Sequence, residues 1–310
     1  EINVMRCLIT GARGFAGSWF WRQLEGTEYE LVGTAHPRES LSSSGAVRSI
    51  DLTQTDQLNT LLSEVDPDVV VHLAAVSFVP QAEDDFANAL ATNVGALHTI
   101  CSHSNVHNGA ARLIFISSSE VYGHVSSEQL PIVEDTPARP ANAYSLTKLM
   151  AEQLVRKYVE YDKLNAVILR SFNHIGPGQN ERFVVPAFAR QLAEIAQERR
   201  EAVVKVGNLS ARRDFSDVRD IVRAYQAAIT VGEGVYNLCS GVAVSVEEVL
   251  ETLIDIAGVK VTVEQDSSRM RPVDVPEFYG DNSRAKRDLN WQPRYTLRDS
   301  LEAIYRSVLD

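Results

Sequence analysis

The sequence predicts an α/β fold, a doubly wound parallel sheet with a smaller C-terminal α/β unit. Three observations carry this. A short apolar strand, Arg6 to Thr10 (RCLIT), runs straight into Gly11-Ala12-Arg13-Gly14-Phe15-Ala16-Gly17 and then a helical stretch, Ser18 to Leu24. Asp68 to Ala75 (DVVVHLAA) and Leu113 to Ile116 are near-continuous apolar runs, as expected of strands covered on both faces. Between such runs apolar residues recur at helical spacing, so strand and helix alternate.

Taken in order, the first turn is the most informative. Glycines at 11, 14 and 17 let the backbone turn tightly and come close to a pyrophosphate. The helix N-terminus there has free N–H groups and a dipole that favours anions. The second strand, Glu30 to Ala35, is followed by His36-Pro37-Arg38, with no acid before Glu39. NAD-specific folds usually place an acid there for the ribose hydroxyls. Its absence, with Arg13, His36 and Arg38 near, favours NADP(H) over NAD(H); basic surface residues without a role remain the alternative. Val47 to Asp51 reads as a third strand, with Asp51 and Leu52 at its end beside the adenine. Leu58, Leu61, Leu62 and Val65 mark a core helix that Pro67 ends. Phe86, Leu90, Val94, Leu97 and Cys101 mark one long helix. His98, His103 and His107 on or after it lack the acids or thiols of a metal cage, so no metal is expected.

After Leu113 to Ile116 comes Ser117-Ser118-Ser119-Glu120, at the strand end where open α/β sheets bind ligands. Ser118 can hold a carbonyl oxygen there; a polar loop start is the plainer reading. Next, Tyr144-Ser145-Leu146-Thr147-Lys148 puts a phenol and an ammonium one turn apart on a helix face. A phenol titrates near ~10. An ammonium beside it is expected to draw that value down toward the working range, making a proton donor for a ketone. Leu146, Leu149 and Met150 are expected to form the helix's buried back. Taken alone the spacing is more often a helix with a solvated lysine; the glycine turn and the serine-rich strand end reverse that. Ala166 to Arg170 is a further strand.

From Ser171 the pattern changes. Asn173 to Gln179 is a glycine- and proline-rich loop. A helix (Phe183 to Gln197) and a strand (Val203 to Val206) follow, then Arg212 to Phe215 leading into a helix, Val218 to Ile229. Gly234 to Leu238 reads as a strand returning to the first sheet. Val244 to Ile256 is helical, Lys260 to Glu264 a strand, and Leu297 to Val308 the last helix. The units therefore interleave: 1–172 with about 214–240 form one, about 173–213 with 241–310 the other.

The totals exclude several classes. The 310 residues are 45% hydrophobic and 23% charged, ordinary for a soluble enzyme. A net charge of −11 argues against nucleic acid or an anionic membrane as partner. Three widely spaced cysteines read as buried thiols rather than a disulfide frame. No apolar run approaches the ~20 residues of a membrane span and no signal peptide is read before Cys7, so the expected location is the cytoplasm.

With these residues laid out, the chain resembles the extended short-chain dehydrogenase/reductases that act on nucleotide sugars, built on a Rossmann domain. The motifs are TGARGFAG, HLAA at His72 to Ala75, the strand-end Ser118 and YSLTK. FNHIGPGQ at Phe172 to Gln179, VGNLSARRDFSDVRD at Val206 to Asp220, YNLCSG at Tyr236 to Gly241 and RMRPVDVP at Arg269 to Pro276 are similar to the GDP-4-keto-6-deoxy-D-mannose reductases among them. The resemblance implies Ser118, Tyr144 and Lys148 as the catalytic set, with Glu120 as a further acid. It implies a cofactor site of Gly11, Arg13, Gly14, Phe15, Gly17, His36, Arg38, Asp51, Leu52, Leu73, Ala74, Ala75, Tyr144 and Lys148. For the sugar nucleotide it implies Ser77, Ser119, Asn173, Val184, Arg213, Arg271 and Asp274. The implied reaction is NADPH-dependent reduction of the C4 ketone of a GDP-6-deoxyhexose, in a homodimer joined through a four-helix contact of Phe86–Ser104 and Tyr144–Tyr161. A 4,6-dehydratase is the rival, because Glu120 stands where those relatives carry a base. A C4 epimerase and a silent NADPH-binding regulator are weaker readings.

Overall fold

The computed structural model describes residues 4–39, 45–106, 111–269 and 275–309. Its strands are β1 (Met5–Thr10), β2 (Tyr29–Ala35), β3 (Val47–Ser49), β4 (Val69–His72), β5 (Arg112–Ser118), β6 (Asn165–Ser171), β7 (Asn173–Ile175), β8 (Val203–Val206), β9 (Arg212–Asp217), β10 (Gly234–Leu238), β11 (Ala243–Ser245), β12 (Thr262–Gln265) and β13 (Glu277–Phe278). The α-helices are α1 (Phe15–Leu24), α2 (Thr55–Val65), α3 (Val79–Asp84), α4 (Phe86–Leu90), α5 (Ala96–Val106), α6 (Ala143–Asp162), α7 (Val184–Ala196), α8 (Val218–Ala228), α9 (Val246–Ala257), α10 (Ser283–Asp288) and α11 (Leu297–Leu309).

Seven strands form one sheet in the order β10-β6-β5-β4-β1-β2-β3, every pair parallel. Alternation along each strand divides the core. Cys7, Ile9, Val69, Val71, Ile114 and Ile116 face α1 and α8, whereas Leu8, Val70, Leu113 and Phe115 face α2, α5 and α6. This two-sided burial explains the continuous apolar runs. Strand order reverses at β1, between β2 and β4, which opens a crevice above the carboxyl ends of β1 and β4.

The second unit has β11-β9-β13 with β7 added on β9, and a separate β12-β8 pair. Helices α7, α9 and α11 enclose its core. The chain passes from β6 to β7 with only Phe172 between, so a single residue joins the two sheets. It returns through β9, which runs directly into α8, and α8 packs on α1. Trp291 closes the connection, buried in the first core with Nε1 donating to the Asp220 carbonyl at 2.7 Å.

Two expectations are corrected and one is extended. Arg212 to Phe215 leads into a helix, α8, as expected, and does so as the central strand of the second sheet, a polar strand that composition alone disguises. The long helix from Phe86 is broken by a π turn, Ala91–Gly95, and preceded by α3. Leu146 and Met150 are not the buried back of α6; they stand 40% and 39% exposed, and the helix buries Thr147, Lys148, Ala151, Glu152 and Val155 instead. All three cysteines are buried free thiols. Among the described residues no helix is long and apolar enough to cross a membrane.

Candidate active site

The glycine turn closes on itself. Gly14 N–H donates to the Gly11 carbonyl at 3.0 Å, and Thr34 of β2 holds the turn from below, accepting Gly11 N–H on its hydroxyl and Ala12 N–H on its carbonyl. Gly11 has φ +70°, and a Cβ there would stand 2.9 Å from the Ala74 backbone. At Gly17 a Cβ would lie 2.1 Å from the Gly11 carbonyl oxygen. The turn therefore leaves backbone exposed where a side chain would otherwise stand. The first turn of α1 contains no acid, so its dipole is not offset. These features fit a pyrophosphate.

Around the turn the sequence-derived cofactor residues converge. Leu73 and Ala74 are fastened over β1, their N–H groups donating to the carbonyl and hydroxyl of Thr10 at 3.3 Å, and Ala75 follows. His36 and Arg38 form an exposed loop after β2, with Arg38 N–H bonded to His36 Nδ1. The Asp51 carboxyl is held below its usual range by its bonds to the Thr53 hydroxyl and N–H, with help from nearby His36 and Arg38, so these three residues share one corner. Leu52 is buried behind them. Glu39 is also present, accepting from the His36 N–H. A cavity of about 240 Å³ beside the turn is lined by Arg13, Ser18, Trp21 and Arg22. Phe15 stacks flat on His174 of β7, centroids 5.8 Å apart, and Trp19 Nε1 donates to the Pro177 carbonyl, so the turn is clamped to the second unit. His174 is a residue that motif reading passes over as part of a loop.

At the carboxyl end of β5, Ser118 stands beside the first turn of α6. Asn142 caps that helix, accepting from Ser145 N–H at 2.8 Å, while Ser145 Oγ accepts from Asn142 N–H. Glu83 of α3 accepts Ala143 N–H at 2.7 Å. This rigid start carries Tyr144, whose phenol bonds to the Ser118 hydroxyl. Asn142 also donates to Glu120 Oε2 at 3.0 Å, so Glu120 sits within the same cluster. Ser119 is buried beneath it.

The electrostatics correct one expectation. Burial pushes the Tyr144 phenol up; the Ser118 bond lowers it in part and Glu120 adds to the rise. Lys148 does not draw it down. Its Nζ donates at 2.7 Å to the Ile116 carbonyl and lies 5.0 Å from the centre of the Phe115 ring. Burial lowers it to about 8, against the pull of Glu152. Tyr144 is thus a full phenol at neutral pH, the form that can donate a proton.

Asn93 is a second residue that sequence reasoning missed. Buried in the π turn, it accepts Val76 N–H at 2.8 Å and donates to the Val76 carbonyl and to Thr147 Oγ1. It thereby ties the segment after Ala75 to the helix turn that carries Lys148. The available signal was a polar residue in an apolar helical pattern; π turns often occur at functional sites.

The residues expected at the sugar nucleotide are only partly assembled. Ser77, Asn173 and Val184 are exposed. Arg182 lies over the Phe78 ring at 5.1 Å, which brings the neighbours of Ser77 and Val184 together across the crevice. Arg213 donates to the carbonyls of Arg212 and Val275. Arg271 and Asp274 lie outside the described residues.

Comparison with known proteins agrees with this geometry. The model of the GDP-mannose 4,6 dehydratase family matches residues 8–304. The GDP-6-deoxy-D-mannose reductase of Pseudomonas aeruginosa is 34% identical over 303 residues, covering 96% of this chain and 95% of that one. The GDP-6-deoxy-D-talose 4-dehydrogenase of Aggregatibacter actinomycetemcomitans is 27% identical, with 98% of each covered. The structure of RMD from Pseudomonas aeruginosa complexed with NADPH superposes with a TM-score of 0.87 at 33% identity, covering 98% of this chain and 99% of that one.

Proposed function

Starting from a chain that belongs to the GDP-mannose 4,6 dehydratase family of extended short-chain dehydrogenase/reductases, and so is an NAD(P)-dependent oxidoreductase, we propose that it reduces the C4 ketone of GDP-4-keto-6-deoxy-D-mannose to a GDP-6-deoxyhexose such as GDP-D-rhamnose. The observation that carries this is the Ser118–Tyr144–Lys148 set, assembled at a parallel strand's end beside a turn that fits a pyrophosphate. Likeness to a GDP-sugar reductase over almost the whole chain supports the substrate.

The cofactor is NADP(H), with NAD(H) as the alternative; when bound, it supplies the hydride. The backbone of Gly11, Gly14 and Gly17 holds the pyrophosphate, Asp51 and Leu52 flank the adenine, and Arg13, His36 and Arg38 meet the 2′-phosphate. Ser118 and Tyr144 both bond the ketone oxygen, and Tyr144 releases its proton as negative charge builds there. Lys148, its ammonium anchored on the Ile116 carbonyl, would bond the nicotinamide ribose. Ser77, Ser119, Asn173, Val184 and Arg213 hold the sugar nucleotide. Residues 1–172 with about 214–240 make up the cofactor unit, and the remainder the substrate unit.

Glu120 favours a second reading, a 4,6-dehydratase, because its carboxylate belongs to the Tyr144 cluster. Cofactor stoichiometry separates the two. Supplied with the keto sugar, the protein is expected to oxidise one NADPH per sugar, followed by absorbance. Supplied with GDP-mannose and no added cofactor, it is expected to do nothing; dehydration there would overturn the reductase reading.

The exposed Leu146 and Met150 of α6, with Phe86 of α4, support a homodimer through a four-helix contact. Met150→Glu is expected to convert dimer to monomer in sedimentation measurements. A wild-type monomer at micromolar concentration would remove this proposal.

A further inference from the structure

One turn beyond Lys148 on α6 stands Glu152, fully buried and unused by the reaction proposed above. Its carboxylate accepts from Ser117 Oγ at 2.6 Å, from Arg170 Nε at 2.9 Å and from Arg170 Nη2 at 2.7 Å. Three directed donors from β5 and β6 fix it in one orientation. Arg170 is held in turn by the Glu134 carbonyl and by the face of the Tyr122 ring.

A scaffold pair needs no more than that. Lys148 does need more. The residue is 3% exposed, and the partners its ammonium touches, the Ile116 carbonyl and the Phe115 ring, are neutral. A buried cation without a counter-charge is strongly disfavoured. The groups around α6 can be taken element by element. β4 brings His72, fully buried, bonded to Thr10 Oγ1 and pushed by burial to about 3, hence neutral. The turn after β5 brings Tyr122, whose hydroxyl is committed to Asn237, and Glu120, committed to Asn142. β6 brings Arg170, of the same sign as Lys148. From α3, Glu83 binds the helix start at Ala143; from α5, His98 lies against Tyr158 at the other end; the π turn brings Asn93, which is uncharged. Glu152, on the same inward face as Lys148, is the carboxylate that opposes the effect of burial there.

We propose that Glu152 is a positioning residue for Lys148: its buried carboxylate, oriented by Arg170 and Ser117, keeps the lysine charged and drawn against the sheet below the reacting phenol. This rests on the reading of Lys148 as part of the catalytic set.

The test is a pH profile. Activity needs the ammonium, so the wild-type rate is expected to fall as pH rises through about 8, where Lys148 loses its proton. Removing a negative neighbour destabilises the cation, so in Glu152→Gln the fall should begin at least about one pH unit lower. Glu152→Asp, which keeps the charge, should restore the limb toward wild type. A Glu152→Gln protein that is slower or less stable at every pH, with its alkaline limb unmoved, would show Glu152 to be scaffold only and overturn the proposal. Because Glu152→Gln leaves Arg170 buried without its partner, the pair Glu152→Gln/Arg170→Gln is made alongside; it also removes a charge of the same sign as Lys148, so its limb is expected to move in the same direction by less. Titration of ¹³C-labelled lysine in the folded wild-type protein, with Lys148 assigned by Lys148→Met, needs neither variant at Glu152 nor any sugar. Lys148 should be cationic at pH 7, and a neutral Lys148 overturns the inference. If the keto sugar is not turned over but the lysine titrates as expected, the reductase reading fails and the role of Glu152 stands.

Discussion

Tyr144→Phe is expected to lose turnover of the keto sugar by about 10²–10⁴-fold, the usual contribution of a positioned general acid. The change removes one oxygen and leaves the ring, so the packing of α6 and its Asn142 cap should survive. NADPH binding, followed by fluorescence, should stay within about threefold, because the glycine turn, Asp51 and Leu73 are untouched. The phenol is the only group of the set that is both protonated at neutral pH and bonded to Ser118. Ser118 can still bond the ketone but has no acid to pass on, so the residual rate reflects binding alone. A Tyr144→Phe protein that turns over at the wild-type rate would refute the assignment of Tyr144.

Gly17→Ala should have the second largest effect, and two terms of opposite sign compete. Within a helix alanine is better than glycine by about 0.5–1 kcal/mol, which argues for stabilisation. Against it, the new Cβ would stand 2.1 Å from the Gly11 carbonyl and 3.0 Å from Ala12 Cα, both backbone atoms that no rotamer can move aside. Such overpacking costs roughly 1–3 kcal/mol, and here it opens the turn proposed to meet the pyrophosphate. NADPH affinity should fall by about 10–100-fold, at ~1.4 kcal/mol per decade. Equal affinity, measured by calorimetry on folded protein, would mean that the turn is not the pyrophosphate site.

Much of this was legible because it is local. The strand into Gly11, the apolar runs of β4 and β5 and the spacing of Tyr144 and Lys148 each depend on a few consecutive residues. The short elements α3, α10, β7 and β9 were missed because they complete no apolar period and take their stability from neighbours far along the chain. Leu146 and Met150 were misjudged for a related reason: helical spacing reports a face, not what covers it.

By itself the sequence determined the fold class, the glycine turn and which phenol is proposed to react, since backbone geometry and side-chain chemistry follow from residue type. Only the tertiary structure decided where Lys148 points, that Asn93 fastens Val76 to α6, and that a carboxylate from the next turn lies buried against Ser117 and Arg170. Those facts depend on desolvation and on partners 17 to 54 residues away, and neither quantity exists until the sheet has closed over them.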